Sequence, residues 1–188
     1  MNTSFRLLCS FIIAACFFFG CQAGGEPSSE KSGQTAGQAK SASAAPSAAS
    51  KKFRKSVGRV NDFALILNDE ARAALNEGIN AYESKTNREA VVVTVKSIAP
   101  YTNIHKYAKA LGNEWGVGKA GMDNGVVLLY CTGCQAVTIA TGKGSETSLS
   151  DDTCQKIISD TMIPQFRQQK AAQALIDGLD AIFKAWPR

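Results

Sequence analysis

Ala90-Val91-Val92-Val93-Thr94-Val95 and Val126-Val127-Leu128-Leu129-Tyr130 are short runs of β-branched and aliphatic residues. Each is too short for a buried helix and made of side chains that pack on a pleated surface, so each reads as a buried strand. Between them, beyond Pro100, the residues Ile104, Tyr107, Ala108, Leu111 and Trp115 recur at helical spacing. Strand, helix and strand in that order make a right-handed crossover with the two strands parallel, which decides for an α/β fold. Thr132-Gly133 then separates the second strand from the alternating stretch Gln135-Ala-Val-Thr-Ile-Ala140, and a tight two-residue hairpin is expected.

Outward from this centre, Asn68 is placed to cap a helix whose first residues, Asp69 and Glu70, suit its positive end. Ala71, Leu75, Ile79 and Tyr82 share one face of it. Ser150 caps a third helix, with Asp151 and Asp152 in its first turn, Ile157, Ile158 and Met162 facing inward, and Pro164 as its stop. A fourth carries Ala171, Leu175, Leu179, Ile182, Phe183 and Trp186 on one side. The expected order is α-β-α-β-β-α-α, one domain over residues 57–188 with a small mixed sheet covered by helices.

The 188 residues are 45% hydrophobic and 20% charged, which is too apolar for a disordered chain. His105 is the single histidine. A three-histidine zinc site within one chain is therefore excluded, and a Ser-His-Asp triad would have to use this residue. It lies off the apolar stripe of its helix, where a solvated surface histidine is expected. The formal charge of +5 is local: residues 60–188 carry 13 basic and 14 acidic groups, whereas Lys51, Lys52, Arg54, Lys55 and Arg59 stand together without an acid. A near-neutral fold argues against nucleic acid as a partner. The basic stretch reads as a solvated linker end, within reach of anionic lipid headgroups.

Leu7 to Gly20 is an apolar run of fourteen residues behind Arg6, too short to span a bilayer and of signal-peptide length. Gly20 before Cys21 resembles a bacterial lipoprotein processing site, although Phe18 and Phe19 replace its usual Leu and small residue. Residues 1–20 are thus read as a signal peptide, Cys21 as the lipidated residue, and residues 21–56, rich in Ala, Ser, Gly and Lys, as a flexible tether. The setting expected is a bacterial cell envelope. There a monomeric domain faces the periplasm or the outside, tethered to a lipid membrane. Such an oxidising compartment favours a disulfide between Cys131 and Cys134 across the hairpin turn, with Cys154 left free and buried.

Two motifs fail their context. Gly116-Val-Gly118-Lys-Ala-Gly121 matches the dinucleotide fingerprint in letters, but it follows a helix and leads into a strand, the reverse of what a pyrophosphate site needs. Cys131-Thr-Gly-Cys134 lies at a hairpin turn rather than a helix N-terminus, so neither a redox dithiol nor a zinc site is expected of it.

The hairpin brings the residues before its first strand beside those after its second. Asp123-Asn124-Gly125 should then meet Gly142-Lys-Gly-Ser-Glu146, with Asp151 and Asp152 just beyond. Carboxylates and an amide on glycine-loosened backbone are the oxygen donors a hard cation such as Ca²⁺ selects, the glycines letting carbonyls turn toward the ion. Asp-Asn-Gly is equally an ordinary turn.

Val60-Asn-Asp62, Trp115-Gly-Val-Gly118, Asp123-Asn-Gly-Val126, Gly142-x-Gly144-x-Glu146, Leu149-Ser-Asp151 and Ile163-Pro-Gln-Phe-Arg167, in this order and spacing, resemble the TPM-domain family. The resemblance covers residues 57–186 and implies a three-layer α/β/α sandwich, here with one parallel crossover and one antiparallel hairpin. It also implies an acidic metal site on Asp123 and Glu146, joined by Asp62 and Asn124, with Ca²⁺ as the cofactor. Lys143 and Ser145 depart from the family's usual aromatic and Leu, and Gln168-Gln-Lys-Ala replaces its Gly-Asp-Tyr-like segment. The family includes an acid phosphatase of the thylakoid lumen, so two functions follow from the resemblance. One is a calcium-binding assembly module of the envelope. The other is a metal-dependent acid phosphatase in which Asp123 or Glu146 positions water. The chain has neither an Asp-x-Asp nor a Cys-x5-Arg phosphatase signature.

Overall fold

The computed structural model describes residues 53–187. The signal-peptide run, Cys21 and the tether up to residue 52 lie outside the described residues. The chain forms β1 (Val60–Asp62), α1 (Asp69–Thr86), β2 (Glu89–Val95), α2 (Ile104–Trp115), β3 (Gly125–Cys131) and β4 (Ala136–Thr141). A long helical stretch follows, made of α3 (Asp151–Lys156), a π-helical segment (Ile157–Met162) and α4 (Ile163–Arg167), and α5 (Ala171–Ala185) closes the domain.

The strands lie in the order β1-β2-β3-β4, with β1, β2 and β3 parallel and β4 antiparallel to β3. Side chains alternate between the two sheet faces, and each face buries its own cluster. Val92, Leu128 and Ile139 pack with Leu75 and Ile79 of α1 and with Leu175, Leu179 and Ile182 of α5. Val91, Val93, Val127 and Leu129 pack with Ala108 and Leu111 of α2. The result is the expected α/β/α sandwich.

Four details differ from the sequence reading. First, β1 was not anticipated as a strand, because three residues carry no periodicity. Burial of Val60, Asn61 and Asp62 beside β2 makes it one and adds a second parallel crossover through α1. Second, Pro164 does not end its helix. The π-helical segment shifts the hydrogen-bond register so that Pro164 falls in the first turn of α4, where its missing N–H costs nothing. Third, the hairpin loop has four residues rather than two. Cys131 pairs with Ala136, and Gln135 takes a left-handed φ of 48°. Gly133 packs against the Lys96 carbonyl, leaving no room for a side chain there. Between the end of β3 and this loop Cys131 and Cys134 form the expected disulfide, Cα atoms 5.2 Å apart, and Cys154 is free and buried. Burial, with Asp151 nearby, pushes the Cys154 thiol up to about 11, so it is inert.

Fourth, Phe53 and Arg54, read as part of the tether, lie against α2 and the loop before it. The Phe53 ring meets Tyr107 edge-on at 5.1 Å and stacks on Tyr101 at 6.0 Å. The Phe53 N–H donates to Glu114, and Trp115 Nε1 donates to the Arg54 carbonyl at 2.9 Å. Part of the basic stretch is also used by the fold. Arg54 lies over the Phe63 ring, and Arg59 pairs with Glu83 at 2.8 Å and with Glu89 at 3.6 Å.

Candidate functional site

The antiparallel hairpin does what the sequence implied for Asp123 and Glu146. Both line one cavity of about 390 Å³ at the amino-terminal end of β3, between that strand, the end of β4 and α2. Helix α2 contributes Lys109 and Asn113 one turn apart, and β4 contributes Thr141. Lys143 stands on the following loop, and Lys109 Nζ sits 3.6 Å from Glu146 Oε1. About half of each of those two side chains is exposed, so their pairing is worth only ~0–1 kcal/mol.

The glycines here have a packing role. A Cβ on Gly142 would overlap the Asp123 carbonyl oxygen, and one on Gly144 would overlap that of Met122. They therefore let two loops touch. The Gly144 N–H donates to the Asp123 carbonyl at 3.1 Å, and the Gly142 N–H to the Gly125 carbonyl at 2.9 Å. Asp123 takes a left-handed φ of 48°, a conformation Asp tolerates better than most residues. The two loops lock together and hold the carboxylates at one mouth.

The structure does not bring Asn124 or Asp62 to this cavity. Asn124 Oδ1 accepts from the Lys119 N–H at 2.8 Å, and its amide donates to the Asn87 carbonyl at 3.0 Å, so it ties the loop before β3 to the end of α1. Asp62 pairs in register with Thr94, which pairs with Tyr130, whereas Gly125 pairs with Glu89. That places Asp62 five residues further along the sheet, about 17 Å at the ordinary strand rise, and two strands away. Its carboxylate is buried and accepts from the Ile66 N–H at 3.1 Å, the Leu67 N–H at 2.9 Å and the Thr94 hydroxyl, with Arg72 at 3.5 Å. Burial alone would raise its pKa, but these donors and the guanidinium outweigh it and hold the carboxyl below its ordinary value. Asp62 shapes the turn after β1.

Glu89 was missed by sequence reasoning. It accepts from Gly118 N–H at 2.9 Å and pairs with Lys119 at 2.8 Å. The Gly118 N–H of the false dinucleotide motif is thus spent on an internal carboxylate, and its Lys119 N–H on Asn124. Burial pushes the Glu89 carboxyl up, but Lys119, the Gly118 N–H and Arg59 more than reverse this. Lys109 and Asn113 were also missed. Their i, i+4 spacing on the polar side of α2 was visible, but the surface that this side faces was not. His105, expected in solvent, is half-buried, with Nδ1 3.2 Å from Thr138 Oγ1.

Among the described residues no three His, Cys, Asp or Glu side chains gather as a ready metal cluster. The donors at the cavity are nonetheless two carboxylates and an amide, with no sulfur or imidazole. That donor set fits a hard cation, provided main-chain oxygens or water complete its shell.

Residues 60–185 match the TPM domain. No curated protein matches the chain. Among solved structures, the N-terminal domain of a protein from P. gingivalis is 31% identical with a TM-score of 0.62, covering 67% of this chain and 80% of that one. The BA42 protein of the psychrophilic bacterium Bizionia argentinensis is 22% identical with a TM-score of 0.55, covering 65% and 87%. The N-terminal domain of the cg2496 protein of Corynebacterium glutamicum shares 9% identity at a TM-score of 0.55, covering 73% and 85%, a likeness of fold alone. With the match running from β1 to the end of α5, this chain belongs to the TPM domain family.

Proposed function

We propose that this protein is a binding module of the bacterial cell envelope, held to a lipid membrane through Cys21 and taking Ca²⁺ between Asp123 and Glu146. One observation carries the cation reading: two carboxylates remote in sequence share a cavity whose other neutral polar side chain, Asn113, also offers an oxygen ligand. Lys109 and Lys143 balance the acids when no cation is present, and Lys109 is displaced at little cost because its pairing is solvent-screened. Bound calcium would supply the charge that holds the two loops together.

Thermal melts test this. A ligand that binds only the folded state adds about 2.7 kcal/mol at a hundredfold excess over its dissociation constant. The melting temperature should rise with calcium in the wild type, and Asp123→Asn and Glu146→Gln should each abolish the rise. A wild type indifferent to millimolar calcium defeats the reading. Calcium-dependent turnover of a chromogenic phosphate ester, lost in a folded Asp123→Asn protein, would replace it with a phosphatase. The tether has its own test: the Cys21→Ser form should turn soluble or stay unprocessed, and fractionation with membranes like the wild type would remove it.

A further inference from the structure

β4 is an edge strand. The bond from the Gly142 N–H to the Gly125 carbonyl sets its parity, because main-chain groups alternate in direction along a strand. Those of Ala136, Thr138 and Ala140 face β3, while the N–H and C=O of Val137 and Ile139 face outward. Among the described residues, no donor or acceptor outside the sheet meets them. Free edges are commonly guarded by charge, proline or a bulge, and β4 carries neither a charged residue nor a proline over Ala136–Thr141.

This edge is recessed instead. A groove of about 850 Å³ runs along it, walled by Ile104 and His105 of α2 on one side and by Ile158, Ile163 and Phe166 on the other. Ile139 on its floor is only 3% exposed. A second copy's β4 would lie equally deep between its own helices, so two such edges cannot reach each other. A single extended chain can enter.

The groove is charged at both ends. Phe166 stacks on Tyr130, the partner of Val137, which sets Arg167 near the start of β4. Asp151 opens the helical stretch that Arg167 closes, so it lines the groove at the other end. Neither charge is in an ion pair among the described residues. A chain running antiparallel to β4 would place its amino end at Asp151 and its carboxylate at Arg167. Alternate side chains would then meet the apolar wall on one face and His105 on the other.

We propose that this groove binds short extended peptides with free termini by strand addition to β4, taking apolar residues at alternate positions. The site shares no lining residue with the cavity of Asp123 and Glu146, so peptide affinity and calcium response stand or fall separately.

The probe is a set of alternating Val-Ser peptides of four to seven residues, titrated into the isotope-labelled full chain. Saturable binding is expected, with the Val137 and Ile139 amides newly protected from exchange. Amidating the peptide carboxylate, or Arg167→Gln, should weaken it about fivefold; acetylating the amine, or Asp151→Asn, should do the same. N-methylation of peptide residues facing β4 should cost about tenfold, and of the alternate residues much less. Any of three results overturns the proposal: no saturable binding at millimolar peptide, binding indifferent to N-methyl position, or binding without protection of those two amides. Protection already present without peptide also overturns it. If that protection depends on protein concentration a second copy fills the edge, and if it vanishes on deleting residues 1–52 the chain's own N-terminal segment does.

Discussion

Asp62→Ala should destabilise the protein by about 3 kcal/mol, since it strands a buried N–H, a partly buried N–H and a buried hydroxyl that now donate to a carboxylate. The donors are those of Ile66, Leu67 and Thr94, and the side chain that accepts them has no exposed surface. For a domain of this size the loss corresponds to a fall of about 10 °C in melting temperature. The same site predicts a pH dependence of definite sign. The Asp62 carboxyl is held below its ordinary value in the folded state. Its contribution is therefore complete above the unfolded pKa of about 4 and fades as pH falls through the lower folded value. The stability gap between wild type and Asp62→Asn, measured by denaturant titration, should be widest near neutrality and shrink below about pH 4. An unchanged gap at pH 3 would mean that the carboxylate charge plays no part. A calcium response retained in Asp62→Asn is expected as well, because Asp62 lies at the other end of the sheet from the cavity.

Gly142→Ala should cost about 2 kcal/mol and remove the rise in melting temperature that the proposed calcium site predicts. The added methyl must displace the Asp123 carbonyl, and inserting a methyl into packed backbone costs on the order of 1–3 kcal/mol. Parting the loop of residues 142–146 from that of residues 122–125 also separates the two carboxylates they carry. Gly78→Ala is the matching control. Gly78 lies within α1 with open space where a Cβ would stand, so alanine there should stabilise by about 1 kcal/mol and leave the calcium response intact. A Gly142→Ala protein that melts like the wild type and still responds to calcium would show that the close approach of the loops is unimportant.

The two cases illustrate what is local and what is not. The caps at Asn68 and Ser150 were legible in the sequence and hold in the structure, with side-chain oxygens accepting from Ala71 and Thr153 N–H groups. Each depends only on residues within one turn. The central β2-α2-β3 crossover was legible for a related reason: its hydrophobic spacing is a property of consecutive residues. The hairpin followed from the same alternation, and with it the meeting of Asp123 and Glu146 and the disulfide between Cys131 and Cys134.

Asp62 shows where that kind of reading stops. An acidic residue near the start of a domain suits a ligand as well as a turn. What separates the two is β1, whose three residues become a strand only by pairing with β2. Pro164 was misread in the same way, since the π-helical segment that absorbs it is stabilised by tertiary contacts such as Met162 packing against Gly178. By itself the sequence determined the α/β class, the caps, the central crossover and the pairing of hairpin ends, because each follows from local spacing. Only the tertiary structure decided that Asn113 and Lys109 join the two carboxylates, that Asp62 and Asn124 do not, and that β4 ends up at the floor of a groove. Those outcomes depend on how α2 and the α3–α4 stretch are rotated and seated on the sheet, and that is fixed by packing between residues far apart in the chain.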